Sequence, residues 1–93
     1  MKQSHTETGQ TESVSARRLL YYVDFSTGGG SGSATLETKI SGDWVPADVA
    51  YTGNMSSARV VELGGDSSNS RSYRWNVTVS GGAIATYLSV VSA

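Results

Sequence analysis

The side chains here that could do acid–base or metal chemistry are one histidine, His5, and eight carboxylates: Glu7, Glu12, Asp24, Glu37, Asp43, Asp48, Glu62 and Asp66. A Ser-His-Asp relay needs its imidazole clamped between two partners. His5 lies in a polar stretch that offers no clamp. A glycosidase needs two carboxyls flanking a sugar in a cleft. Asp43 and Asp66 fall instead in turn sequences, where Asp bonds to nearby backbone. Glu37 and Glu62 fall on polar positions of their segments, so these carboxylates read as solvated surface charge. With no Cys, the chain has no disulfide, thiolate metal site or Cys nucleophile. Residues 64–70, GGDSSNS, carry oxygen ligands but lack the acidic spacing and closing Glu of an EF-hand loop. They read as a plain turn. Residues 26–33, STGGGSGS, lack the Lys-Ser/Thr of a P-loop and read as a mobile loop. The expectation is a non-enzyme with no catalytic residue, no cofactor and no metal.

The elements that would position any site are strands. Residues 14–25 read as one long strand, with Leu19, Tyr21, Val23 and Phe25 on one face and Arg18, Leu20, Tyr22 and Asp24 on the other. In residues 34–41, Leu36, Thr38 and Ile40 alternate with polar neighbours. Gly42-Asp43 is expected to turn this strand back through Trp44-Val45, and Pro46 confines the return to an edge or a bulge. A fourth strand is expected around Val60 and Val61. Residues 71–80 place Tyr73, Trp75, Val77 and Val79 on one face, and Gly81-Gly82 is expected to close a second hairpin with residues 83–91. About six strands with regular turn signals predict an all-β fold, an antiparallel β-sandwich or a jelly-roll-like small barrel. Its inner face is expected to hold Leu36, Ile40, Val60, Tyr73, Trp75, Val77, Val79, Ile84 and Leu88.

Ninety-three residues allow one domain. Residues 1–13 carry no large apolar side chain after Met1, so they are expected to form an extended polar arm, disordered alone, ahead of a sandwich domain over residues 14–93. Seven Lys plus Arg against eight Asp plus Glu argue against nucleic acid or an anionic membrane surface as partner. No segment is long and apolar enough to cross a bilayer, and the N-terminus lacks a signal-peptide core, so synthesis in a cytoplasm is expected.

What remains is surplus apolar surface. Leu20 and Tyr22 sit on the face of the first strand that a free sandwich would keep polar, so a partner or the chain's own arm is expected to cover them. Arg17 and Arg18 at the arm–domain junction could pair with carboxylates at an interface. Trp44 and Tyr51, near strand ends, could anchor a protein interface or stack on a sugar. The expected partner-binding residues are therefore Arg17, Arg18, Leu20, Tyr22, Trp44 and Tyr51.

The stretches TLETKISGDWVPADVAY and YRWNVTVSGGAIATYLSVVSA resemble small β-rich virion proteins of tailed bacteriophages. The likeness covers residues 34–93 and lies in the order of features: a strand, a Gly turn, Trp-Val, then a Tyr-Arg-aromatic strand ending in Gly-Gly. It implies a capsid decoration or cement protein, or a head–tail or fibre component. Such a protein would be assembled in a host cytoplasm and located in the virion. It would be homo-oligomeric and would bind a major capsid protein or a head–tail component through its arm and first strand. The alternative is a carbohydrate-binding sandwich, with Trp44 and Tyr51 as its stacking platform for a glycan.

Overall fold

The computed structural model describes residues 2–26, 28–55, 58–62 and 70–93. The strands are β1 (Lys2–His5), β2 (Gly9–Gln10), β3 (Val14–Ala16), β4 (Arg18–Asp24), β5 (Ser31–Ile40), β6 (Asp43–Pro46), β7 (Arg59–Glu62), β8 (Arg71–Gly81) and β9 (Ile84–Ser92). They form two antiparallel sheets packed face to face. The first has the order β1-β9-β4-β7. The second has the order β2-β8-β5-β6, with β3 also on β8. The expected all-β sandwich is the observed fold.

Alternation of side chains builds the core. Leu19, Tyr21, Val23 and Phe25 from the first sheet meet Leu36, Tyr73, Trp75 and Val77 from the second, and all are buried. Trp75 is fully buried. Its ring meets Tyr21 edge-on at 5.9 Å between centroids, and its Nε1 donates to the Tyr87 carbonyl at 3.2 Å. A buried indole N–H needs such an acceptor.

The expected long strand over residues 14–25 is two strands in different sheets. Ala16 is buried in the second sheet and Leu19 in the first, with exposed Arg17 and Arg18 between them. Two successive outward residues break the period of two, and the chain crosses between sheets there. The second hairpin is likewise corrected. After Gly81-Gly82, β8 and β9 lie in opposite sheets, so the turn is a crossover. The first hairpin stands, but its turn residues are Ser41 and Gly42, at φ 51° and 87°, with Ile40 opposite Asp43. Positive φ at both central positions gives the turn whose twist suits a two-residue hairpin. Ile40 and Val60, expected inside, are 47% and 46% exposed. Ile40 is the last residue of β5 before that turn, beyond the buried stretch from Leu36 to Thr38.

Residues 1–13, read from the sequence as an extended polar arm, are held by the sandwich over much of their described part. β1 pairs with β9, β2 pairs with β8, and the Thr11 N–H donates to the Trp75 carbonyl at 2.9 Å. The segment is extended, but backbone pairing to its own sheets replaces the apolar anchors it lacks. The glycine loop is fastened too. The Gly30 N–H donates to the Phe25 carbonyl at 2.7 Å, and the Ala83 N–H donates to the Gly28 carbonyl at 3.2 Å. β6, with Pro46, is an edge strand as expected. Residues 63–69, which hold most of the expected turn over residues 64–70, lie outside the described residues.

Candidate functional site

The polar side chains gather at Asp48, not at His5. Asp48 follows β6 on the way to Tyr51, whose backbone bridges Ala34 with two hydrogen bonds of 2.8 Å. Tyr21 and Tyr51 each donate a phenolic hydrogen bond to Asp48 Oδ2 at 2.7 Å. The Val49 N–H donates to Oδ1 at 2.8 Å, and Arg59 Nη1 stands 3.7 Å from Oδ2. Burial alone would push the Asp48 carboxyl up. The Tyr51, Tyr21 and Val49 donors and the Arg59 charge outweigh burial and hold it below the usual carboxylate value. Burial, then the hydrogen bond to Asp48, push both phenols up. This group ties the segment after β6 to β4. Two phenolic donors occupy Oδ2 and the Val49 N–H occupies one side of Oδ1, so the arrangement acts as a structural tie.

His5 lies on β1, where Nε2 is 2.7 Å from Thr86 Oγ1. Burial lowers its pKa. Gln3, two residues before, has a buried Oε1 without a hydrogen-bond partner among the described residues. These two polar residues close the β1 edge of the sandwich, a place usually given to apolar side chains.

A trough runs across the outside of the first sheet, with a volume of about 310 Å³. Strand register shows how it is made. Tyr21 and Leu88 are partners, and their side chains point inward, so their backbone forms the floor. One wall is the row Lys2–Tyr87–Tyr22, with Ala58 at its far end. The other is Ser89–Leu20, extended by Val60. The Tyr22 and Tyr87 rings are 5.7 Å apart, and Lys2 Nζ stands 5.5 Å from the Tyr87 ring centre. Leu20 is 36% exposed. The chain's own N-terminal segment does not cover this face; β1 widens it and supplies Lys2 to one wall.

Of the residues singled out in the sequence, Leu20 and Tyr22 line the trough. Arg17 and Arg18 lie at the crossing from β3 to β4, where the Arg17 N–H donates to the Ser92 carbonyl at 2.7 Å. Trp44 and Tyr51 do not converge. Trp44 pairs with exposed Lys39 on the outer face of the second sheet, beneath Arg74, 4.2 Å from the Trp ring centre. Arg74 Nε also donates to Glu37 Oε1 at 2.9 Å. Tyr51 bridges buried Ala34 and so lies on the inner face. Residues on opposite faces cannot form one stacking platform, which corrects that expectation. Sequence reasoning missed Lys2 and Tyr87. Tyr87 could have been found, because it stands on the polar face of a strand whose other face holds Ile84, Thr86 and Leu88. Lys2 could not, because only the pairing of β1 with β9 brings it there.

No protein-family profile, curated protein or solved structure matches this chain.

Proposed function

We propose that this chain is a non-enzymatic structural protein of a bacteriophage particle, a capsid decoration protein that attaches to another virion protein through the outer face of its first sheet. The observation that carries the binding mode is the trough walled by Leu20, Tyr22 and Tyr87. A sheet face that meets water is ordinarily polar, and burying apolar area contributes roughly 25 cal/mol per Å² before ordering costs. The virion setting is supported by the order of strands and turns that resembles small phage proteins. The net charge of −1 gives little self-repulsion in a crowded lattice. The mechanism is adhesive: many copies on a lattice multiply a modest single-site affinity. A grip through the sheet face is supported by the pairing of β1 and β2 within the fold, which occupies part of the extended arm.

The test is co-sedimentation of the purified chain with empty heads of the phage that encodes it. Saturable binding is expected, lost on Leu20→Asp or Tyr22→Asp and retained on Trp44→Ala. Absence of binding at every ratio, or loss confined to Trp44→Ala, would overturn the proposal.

A further inference from the structure

We infer that the trough receives an extended segment of a partner protein carrying an apolar or aromatic side chain beside a carboxylate, with the carboxylate lying at the Lys2 end. The inference rests on the docking role proposed above and adds the chemistry of what docks.

Dimensions select an extended chain. The walls are rows of side chains two residues apart along the strands, so they stand about 7 Å from each other. An α-helix with its side chains is about 10–12 Å across and cannot settle between them. Single side chains of an extended segment can. Across the sheet the trough runs from β1 to the start of β7, four strands about 4.8 Å apart, or about 14 Å in all. That length holds about four extended residues.

Polarity selects the residues. Tyr22, Tyr87 and Leu20 wall the middle, which suits an apolar or aromatic side chain. Among the described residues that line the trough, Lys2 carries the charge, and it stands at one end. An ammonium held beside an apolar slot attracts a carboxylate and rejects a cation. A sugar would want several converging side-chain donors and acceptors. Besides Lys2, the described lining residues supply the Ser89 and tyrosine hydroxyls, a sparse polar set that favours a peptide.

The experiment is selection of a displayed library of random peptides on the full chain, followed by titration of synthetic copies of the recovered sequences. The expected outcome is a consensus of an aromatic or large aliphatic residue within three positions of Asp or Glu. Lys2→Glu should weaken binding about fivefold, the scale of an exposed ion pair, while Lys2→Arg should preserve it. Leu20→Ser should weaken binding tenfold or more, from the loss of buried apolar area. Peptides that depend on Leu20 and Tyr22 but show no acidic preference and no response to Lys2→Glu would overturn the inferred chemistry and leave the docking role standing. Recovered peptides indifferent to Leu20 and Tyr22 would overturn both. A glycan-array signal abolished by Tyr22→Ala, with no peptide recovered, would overturn the inference in favour of a sugar.

Discussion

Tyr21 and Tyr51, thirty positions apart in sequence, place their hydroxyls on the same oxygen of Asp48, each at 2.7 Å. The Asp48 side chain is 13% exposed. Two donors from separate elements thus depend on one acceptor. Asp48→Ala would strand both hydroxyls and should destabilise the fold by about 2–3 kcal/mol, the range for losing hydrogen bonds to a charged group. Asp48→Asn keeps an acceptor oxygen and should cost about half as much. Urea unfolding followed by tryptophan fluorescence measures both, because Trp75 lies against Tyr21. A neutral Asp48→Ala would show that the tie contributes nothing.

The same group sets the pH range of stability. The folded-state pKa of Asp48 lies below its ordinary 3.8. Its contribution is therefore complete above the ordinary value and is lost as pH falls through the folded one. Tyr21 works in the opposite sense. Burial and Asp48 raise its pKa above 10.0, so its contribution is present below pH 10 and lost as the phenol ionises in more alkaline solution. Stability of the wild type and of Asp48→Asn should converge in acid and stay separated at neutral pH. A constant gap across the acid range would remove Asp48 from the acid transition.

His5 gives a milder and local effect. Burial lowers its pKa below 6.5, so its stabilising effect is present above that value and is lost as pH falls through the folded pKa. The loss should fall on the β1–β9 pairing, since His5 bonds to Thr86 across that edge. Hydrogen exchange at β1 and β9 amides, corrected for intrinsic rates, should quicken between neutral pH and mild acid, while β8 amides facing β5 stay protected. His5→Phe should abolish the acceleration.

The N-terminal segment should behave as part of the fold. Thr11 Oγ1 accepts the Trp75 N–H at 2.9 Å in a buried position, and Thr8 Oγ1 accepts the Val79 N–H at 3.0 Å. Thr11→Ala leaves the Trp75 amide without its side-chain acceptor and should cost about 1–3 kcal/mol. Deleting residues 1–13 removes β1 and β2 together and should lower stability by more than Thr11→Ala alone. A deletion variant as stable as the full chain in urea would show that the pairing of β1 and β2 contributes nothing.

These residues also show where sequence reading succeeds and where it stops. Alternation through Leu19, Tyr21, Val23 and Phe25 marks a buried strand face directly, and each is buried. The same alternation exposes Leu20 and Tyr22 as surplus on the outer face, which is half of the trough. Sheet membership is another matter. It depends on pairings between residues far apart, such as Lys2 with Tyr87, and local periodicity is silent about those. The Arg17-Arg18 pair was the local mark of a change of sheet, because it breaks the period of two. It was legible as charge and passed over as geometry. The pairing of the N-terminal segment is not legible in its composition, because low hydrophobicity is silent about whether an open strand edge is available to it. Trp44 and Tyr51 share a place near strand ends, which the sequence shows, but register sets them on opposite faces, which it does not.

One backbone contact tests the close pairing of β5 with β8. Gly32, at φ 133°, sits where β5 passes β8, at the register shift next to the pairing of Ser31 with Gly81. A Cβ there would overlap the Thr78 carbonyl oxygen. Backbone cannot swing aside as a flexible side chain does, and the φ itself is one that L-residues rarely adopt. Gly32→Ala should therefore destabilise the sandwich by about 2–4 kcal/mol, the combined scale of a strained dihedral and an overpacked contact. Gly42→Ala makes a control with the same change. Gly42 also has positive φ, but its Cβ would meet nothing within 4 Å, so only the dihedral term applies, about 1 kcal/mol. Thermal unfolding of the two variants side by side separates crowding from strain. Equal losses would mean that the close approach of β5 to β8 contributes nothing, and that Gly32 is required for its dihedral alone.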